Sequence, residues 1–368
     1  MGTTVKNAPA HYQFTIVTLI NYMQEALLSK RAGLRAVQTV GERVNLPLLC
    51  PDSESYRRLM DDTFLEEYYE EIGQWTFHSE FLSLTQEQAK ALCVAHQHWN
   101  ESKSNVNELV PELEKLSNEI QSASDRLRTS QFFVRLSTRS PKDAVIHHPS
   151  FRSSYQKSLD RFGTLKDSEF TDNAKLVALY EALTYTMAYD SGNDAVRLLI
   201  TSDRIQEDLR HYCEEGGKNL QVVIREWFSF EVQHEFRAFV YQGKLTAITQ
   251  YNEMCYFPEL VQHQEDIGRF MIETVQRDVL PAIQSLDSLV IDIILSRSDS
   301  GEWLLKIVEI NPFAEFAGTG LFSWENDKLT LMGKRGFEFR IHQSPPTSAM
   351  TNLPSSMLTF LTIAENRN

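Results

Sequence analysis

The spacing of apolar residues along the chain changes near residue 130. Upstream, apolar side chains recur every three or four positions, as they do between Phe14 and Leu27, and this spacing is typical of amphipathic helices. The same spacing predicts further helices over residues 53–75, 85–99 and 106–127. The last has a heptad-like pattern that suits a coiled-coil dimer, although its short length favours packing within the chain. We predict an N-terminal helical region over residues 1–128.

Downstream of this region, short apolar runs alternate with amphipathic stretches. The runs predict strands over residues 131–137, 195–201, 220–227, 235–241, 244–250, 289–295 and 303–310. The amphipathic stretches predict helices over residues 171–189, 202–213 and 259–280. This alternation indicates an α+β domain over residues 129–343. A stretch rich in Ser, Pro and Thr follows, and it predicts a weakly ordered tail over residues 344–368.

The last two predicted strands carry a pair of acids. Ser300-Gly301 between them suits a two-residue β-turn, and such a turn would place Asp292 opposite Glu309. Opposed residues on antiparallel strands point to the same face, with Cβ atoms roughly 5 Å apart. Asn311 shares that face because side chains alternate along a strand. The hairpin therefore predicts two carboxylates and a carboxamide on one apolar surface.

Acids on an apolar face need a compensating cation, because burying paired carboxylates without one is costly. Oxygen donors with no His or Cys nearby suit Mg²⁺, which keeps waters and takes substrate phosphates as its other ligands. We therefore predict that Asp292, Glu309 and Asn311 bind Mg²⁺. The alternative is an edge hairpin whose acids are solvated.

A second predicted hairpin adds a basic residue. With Gln242-Gly243 as its loop, Glu235 would face Gln250, and Arg237 would share their side of the sheet. The forked guanidinium of Arg237 suits a phosphate. An ion pair between Arg237 and Glu235 fits the sequence equally well.

Two other strands carry candidate residues. Glu226 and Trp227 end a strand and are candidates for the hinge of a nucleotide cleft, although a Trp at a strand end is also typical of core packing. Arg135 lies within an apolar strand, where an unpaired charge would be costly. Arg139 and Lys142 in the following loop are predicted to be surface charges.

The composition excludes several classes of function. The 368 residues, 42% of them hydrophobic, suffice for two domains or one large one. A formal net charge of −14 argues against binding to nucleic acid or to an anionic membrane. The sequence has no apolar run long enough to span a membrane and no Gly-rich P-loop. Its four separated cysteines predict reduced thiols in the cytosol or nucleus.

Five segments, in this order, resemble the cell division cycle protein 123 family. They are FVRLSTRSPKDA (133–144), VIREWFSFEVQHEFRAFV (223–240), LTAITQ (245–250), VIDIIL (290–295) and VEINPFAEFAGTGLFSWE (308–325). The EINP run is also similar to the magnesium-binding strand of ATP-grasp enzymes in general. The resemblance implies an ATP-grasp fold, in which two α+β subdomains enclose a nucleotide cleft, with the N-terminal helical region added to it.

The resemblance also implies roles for individual residues. The implied ATP-binding residues are Arg135, Glu226, Trp227, Arg237, Asp292, Glu309 and Asn311. The last three would hold Mg²⁺, the two arginines would contact phosphates, and Glu226 and Trp227 would lie in the adenine hinge. The chain departs from the family pattern in having Arg135 where a Lys is usual and Glu309 where an Asp is usual.

Members of the family act in the cytoplasm as assembly chaperones for eukaryotic translation initiation factor 2. They bind its gamma subunit and promote joining of the alpha subunit, and ATP binding is part of that role. The resemblance implies the same function and location here. One alternative is an active ATP-grasp kinase or ligase that transfers the γ-phosphate of ATP to an unidentified acceptor. Another is a pseudoenzyme in which ATP only stabilises a binding surface.

Overall fold

The computed structural model describes residues 49–50, 52–102, 109–163, 168–215, 219–347 and 349–365. Two compact units make up the chain, and the unit Pro47–Pro346 contains both sheets and every candidate site residue. The predicted helix between Phe14 and Leu27 lies outside the described residues. Among the described residues, the strands and every α-helix but the C-terminal one lie in the unit Pro47–Pro346.

Helices make up most of the described chain before residue 125, as the apolar spacing predicts. The helices are α1 (Ser53–Asp62), α2 (Leu65–Ile72), α3 (Gln86–Ser102), α4 (Pro111–Ser124), α5 (Phe151–Asp160), α6 (Ser168–Tyr185), α7 (Gly192–Thr201), α8 (Asp203–Glu215), α9 (Pro258–Gln262), α10 (Gln264–Thr274), α11 (Leu280–Ala282), α12 (Lys328–Leu331) and α13 (Ser355–Glu365). A π-helical turn, Val275–Val279, joins α10 to α11. No helix among these is both long and apolar enough to cross a membrane.

The strands form two separate sheets. The strands are β1 (Ser79–Ser83), β2 (Phe132–Leu136), β3 (Gln221–Glu226), β4 (Glu235–Tyr241), β5 (Lys244–Gln250), β6 (Leu289–Arg297), β7 (Trp303–Pro312) and β8 (Glu338–Arg340). The first sheet has the order β1-β3-β2 and is antiparallel. The second has the order β7-β6-β4-β5-β8, in which only β5 and β8 are parallel. The predicted α+β fold class is therefore confirmed.

The two sheets meet through an aromatic cluster. Phe77, which precedes β1, and Phe133 of β2 pack with Ile294 of β6 in a buried group. The Phe77 and Phe133 rings meet edge to face with centroids 5.8 Å apart. Trp227 and Val308 pack against the same group. This contact places the inner face of β2 against the face of β6 and β7 that carries the predicted acids.

The predicted boundary at residue 128 does not separate two compact units. Strand β1 lies within the region predicted to be entirely helical, and it pairs with β3 of the predicted α+β domain. Its five residues contain a single strongly apolar pair, Phe81 and Leu82, so the sequence pattern alone does not reveal it. The N-terminal region is thus largely helical, as predicted, but it also supplies the edge strand of the first sheet.

One other predicted element is wrong, and the predicted tail contains a helix. Residues 195–201 form the end of α7 rather than a strand, because a short apolar run fits a buried helix as well as a strand. Nearly all of its apolar side chains are buried, including Val196 and Leu199. The tail predicted to be weakly ordered contains α13, an eleven-residue helix.

The β4–β5 hairpin also differs from its predicted register. Arg237 opposes Thr249, and Gln250 opposes Phe236, so Gln250 does not share the side of Arg237. The register shifts after Phe239 because Thr246 is an extra residue on β5. The buried Thr246 hydroxyl lies within hydrogen-bond distance of the carbonyl oxygens of Phe239 (3.0 Å) and Leu331 (2.6 Å), which holds the irregularity in place.

Candidate functional site

The predicted acids lie side by side. Asp292 on β6 opposes Glu309 on β7, as predicted. Asn311 shares their face, and its side-chain amide donates to Asp292 Oδ2 (3.2 Å) and Glu309 Oε1 (3.4 Å). Asp292 is 1% exposed. The three predicted Mg²⁺ ligands thus form one compact polar group on a largely apolar pair of strands.

A β-bulge, which the sequence does not reveal, produces this arrangement. Between the hairpin loop and Ile293 the strands pair one residue out of step with the predicted register, so that Ile293 opposes Ile307. Val308 is then an extra residue on β7, and the register returns to the predicted one at Asp292 and Glu309.

The hairpin loop is longer than predicted. The last paired residues are Arg297 and Trp303, and the Ser298 amide donates to the Glu302 carbonyl (2.8 Å). The two-residue turn at Ser300-Gly301 is therefore wrong. The prediction that Asp292 opposes Glu309 holds because the longer loop and the bulge shift the register in opposite directions.

Arg237 pairs with Asp292 rather than with Glu235. Its Nε and Nη2 donate to the two carboxylate oxygens of Asp292, each at 2.7 Å, in a bidentate pair. Its Nη1 donates to the Gly318 carbonyl in the loop after β7 (2.8 Å). A Cβ on Gly318 would lie 2.6 Å from that Nη1, so the loop needs glycine for this close approach.

Arg135 reaches the site from the other sheet. Its Nη1 donates to Glu309 Oε2 at 2.7 Å, and its remaining donors reach the carbonyls of Leu136 and Thr138, each at 3.0 Å. The side chain is 3% exposed, so the ion pair lies in the interior. Arg135 thus joins the first sheet to the second at the acid pair.

Burial and neighbouring cations act in opposite directions on the two acids. Burial alone would raise the pKa of Glu309, but Arg135, together with Lys142 and Arg237, lowers it to about 2. Burial raises the pKa of Asp292, and the bidentate Arg237 offsets only part of this effect. Glu309 therefore stays ionised at neutral pH and keeps its attraction for cations.

Three residues that the sequence analysis did not assign to the site complete it. Lys142, predicted to be a surface charge, donates from Nζ to the Tyr251 hydroxyl. The Arg237 guanidinium lies over the Tyr251 ring, 5.1 Å from its centroid. Burial raises the pKa of Glu235 to about 8, despite the attraction of Lys142. The sequence signal for Lys142 was only its position in the loop after β2, and Tyr251 carried none.

Glu226 and Trp227 lie at the end of β3. The Glu226 amide donates to the His78 carbonyl (3.0 Å), and its carboxylate accepts from the His78 amide (3.1 Å). The Trp227 ring meets Phe133 edge to face, with centroids 6.2 Å apart. Among the described hydrogen bonds and ring contacts, none joins this pair directly to the acid group. The structure thus brings together five of the seven predicted residues and places the other two at the end of β3, with Trp227 against Phe133 and Glu226 opposite Phe132.

The donors fit Mg²⁺ in kind but are already engaged. Asp292, Glu309 and Asn311 offer hard oxygen ligands. Both oxygens of Asp292 and one of Glu309 accept from arginines, so a cation at this position would have to replace them. In the described ranges, no group of three His, Cys, Asp or Glu side chains is placed to hold a metal ion. The predicted set, with two acids and one amide, is not a group of that kind.

Comparison with known proteins agrees with the resemblance in the sequence. The D123 family model matches residues 177–358, a range that contains every predicted site residue except Arg135. The chain is 27% identical over 197 residues to cell division cycle protein 123 of Eremothecium gossypii, which covers 52% of this chain and 54% of that protein. It is 30% identical over 172 residues to the translation initiation factor eIF2 assembly protein of Vanderwaltozyma polyspora, covering 42% and 45%.

The sequence matches cover part of the chain, whereas the structural match covers most of it. The chain spans about half the length of the curated relatives that it matches. The solved structure of Cdc123 from Schizosaccharomyces pombe superposes with a TM-score of 0.52 at 17% identity, covering 78% of this chain and 98% of that one. The protein thus has the mixed α+β fold of that structure, with helices before most of its strands. The match over residues 177–358 and the named relatives support its assignment to the cell division cycle protein 123 (D123) family.

Proposed function

We propose that this protein binds ATP together with Mg²⁺ and acts in the assembly of translation initiation factor 2. The observation that carries the proposal is the convergence of Asp292, Glu309 and Asn311 with two arginines from different sheets. The relatives named as eIF2 assembly proteins supply the partner. The acidic chain, with a net charge of −14, suits a basic face of that partner, and we assign the contact to its gamma subunit.

The charge balance of the site favours an anion. Arg135, Arg237 and Lys142 carry three positive charges against the two carboxylates of Asp292 and Glu309. Glu235 remains largely protonated at neutral pH because its pKa is about 8. A partly buried group with an excess of cations is suited to phosphate, which accepts bidentate hydrogen bonds from guanidinium groups.

The ion pairs imply that metal and triphosphate bind together. Mg²⁺ alone would have to separate Asp292 from Arg237 and leave a buried guanidinium without a partner, which costs on the order of 3–5 kcal/mol. A triphosphate gives Arg237 and Arg135 new acceptors, so that the acids become free for the metal. Mg²⁺ would then neutralise the charge between the acids and the phosphates.

Strand β2 and the end of β3 support a position for the adenine. Phe133 and Arg135 lie two residues apart on one face of β2, and Trp227 packs against Phe133. A base covered by Phe133 and Trp227 would therefore extend its phosphates along β2 towards Arg135. Glu226 and Trp227 would supply the hinge beside the base.

Isothermal titration calorimetry with ATP, with and without Mg²⁺, tests the site, and capture of purified initiation factor 2 gamma subunit tests the partner. We expect the affinity for Mg·ATP to exceed the affinity for ATP alone and for Mg²⁺ alone. We also expect capture of the gamma subunit. Absence of nucleotide binding would remove the proposal. Release of the γ-phosphate above background, once an acceptor is supplied, would favour the kinase or ligase alternative over the assembly role.

A further inference from the structure

Arg225 is a fully buried arginine that has no carboxylate partner among the described residues. It is the last residue but one of β3, the central strand of the first sheet, and is 0% exposed. Its Nε donates to Ser79 Oγ (3.1 Å) and its Nη2 to Thr76 Oγ1 (2.6 Å). Its guanidinium also lies over the Phe77 ring, 4.8 Å from the centroid. No carboxylate of the described chain forms an ion pair with it, and a buried charge of this kind is costly to keep.

The third donor of Arg225 reaches the β-bulge. Its Nη1 donates to the Val308 carbonyl at 2.5 Å. The extra residue of a bulge lies outside the regular ladder, and a buried carbonyl without a donor costs free energy. Arg225 therefore supplies a charge-assisted partner for the carbonyl of the extra residue.

The residues before β1 hold the other side of the bulge. The Ile307 amide donates to the Trp75 carbonyl (2.6 Å), and the Ile307 carbonyl accepts from Thr76 Oγ1 (2.8 Å). The same Thr76 hydroxyl accepts from Arg225. Arg225 and Thr76 thus form one hydrogen-bonded unit that binds the carbonyls of Ile307 and Val308.

The register of β7 beyond the bulge depends on these hydrogen bonds. If the strand straightened, Val308 would oppose Asp292, and Glu309 and Asn311 would move to the opposite face, since a shift of one residue reverses the facing of every side chain. We infer that Arg225 is a positioning residue for the site: by holding the bulge at Val308, it keeps Glu309 opposite Asp292. Its relevance to nucleotide binding rests on the proposed function, whereas its effect on the register does not.

The variant Arg225→Met tests the inference through two measurements. Ile291 opposes Ile310 on the other face of the hairpin, so their labelled methyl groups should give a nuclear Overhauser effect in the native protein. We expect Arg225→Met to lose this signal and to bind Mg·ATP at least tenfold more weakly. The matched control is Arg126→Met, which removes an exposed arginine paired with Glu80 and should change neither measurement. A retained Ile291–Ile310 signal in Arg225→Met overturns the inference.

A second variant separates positioning from general loss of packing. Deleting Val308 removes the extra residue, so a regular ladder would still place Glu309 opposite Asp292. We expect Arg225→Met combined with this deletion to recover the methyl signal and most of the binding. A double variant that folds without recovering the signal overturns the inference.

If Arg225→Met does not fold, the milder Thr76→Val, which removes one anchor of Arg225, provides the same test with the same expected losses. Unchanged signal and binding in that variant would count against the inference. If the methyl signals change as expected while the native protein does not bind Mg·ATP, the proposed function fails and the role of Arg225 in the register remains.

Discussion

Asp292 and Glu309 face each other across β6 and β7 because one extra residue, Val308, separates two stretches of regular pairing. Each acid is held by a different arginine: Arg237 from the neighbouring strand β4 and Arg135 from the other sheet. The acid pair is therefore compensated by protein cations. On binding of Mg·ATP, Mg²⁺ would take the place of the arginines at the acids, and the phosphates would take the place of the acids at the arginines.

The first prediction concerns Asp292. Asp292→Asn removes the charge but keeps an oxygen acceptor for Arg237, so the fold should survive. We expect Mg·ATP to bind at least tenfold more weakly, a loss of about 1.4 kcal/mol or more, as measured by calorimetry. The matched control is Asp278→Asn, because Asp278 pairs with the adjacent exposed Arg277 and should leave binding unchanged. Equal affinity of Asp292→Asn and the native protein would exclude Asp292 as a ligand.

The second prediction concerns the competition between Arg237 and the metal. In Arg237→Met the carboxylate of Asp292 loses its bidentate partner and becomes a buried acid in need of a cation. We expect Mg²⁺ without nucleotide to bind this variant more tightly than it binds the native protein, while Mg·ATP binds more weakly because a phosphate partner is lost.

Calorimetric titration with MgCl₂ alone measures the first effect of Arg237→Met. The control variant is Arg340→Met, which breaks ion pairs with Asp327 and Glu338 at the far edge of the same sheet. It should not change the affinity for Mg²⁺. The same weak Mg²⁺ binding in Arg237→Met and the native protein would show that Arg237 does not compete with a metal.

The sequence predicts the acid pair because its strongest signals are local. Asp292 lies in a long run of β-branched and Leu residues, and such a run with a turn after it defines a hairpin. The two irregularities of that hairpin escape prediction because tertiary contacts hold them. The bulge at Val308 is fixed by Arg225, a residue 83 positions away in the chain. The predicted two-residue turn was wrong, but it gave the right partner for Asp292 because the longer loop and the bulge shift the register in opposite directions.

The partners of the arginines are a different case. The sequence indicates that Arg135 and Arg237 need anions, but it left Glu235 as one possible partner of Arg237. Sheet order decides the matter, because β4 lies next to β6 and thus Arg237 opposes Asp292 directly. No pattern within a single strand reports which strand will be its neighbour. For the same reason β1, whose strand character depends on pairing with β3, was missed.

The third prediction concerns pH. Burial raises the pKa of Glu235 from 4.5 to about 8, so the folded protein keeps this proton where the unfolded chain has lost it. Glu235 therefore lowers the free energy of unfolding progressively as pH rises from about 4.5 to about 8. Glu235→Gln removes this effect, and we expect its stability advantage over the native protein to grow across that range. Urea unfolding of both proteins at pH 5 and pH 8 measures it, and a difference that does not change with pH would contradict the prediction.

The fourth prediction concerns the loop that supports Arg237. A Cβ on Gly318 would lie 2.6 Å from Arg237 Nη1, and the flexible guanidinium can move away more easily than the loop can. Gly318→Ala should therefore leave the protein folded but weaken Mg·ATP binding, by about three- to tenfold or roughly 1 kcal/mol. Gly73→Ala is the matched control, because its new methyl group would meet only ordinary contacts at 3.6 Å or more, and we expect native affinity. If calorimetry gave Gly318→Ala the affinity of the Gly73→Ala control, the position of the Arg237 guanidinium would have no part in binding phosphate.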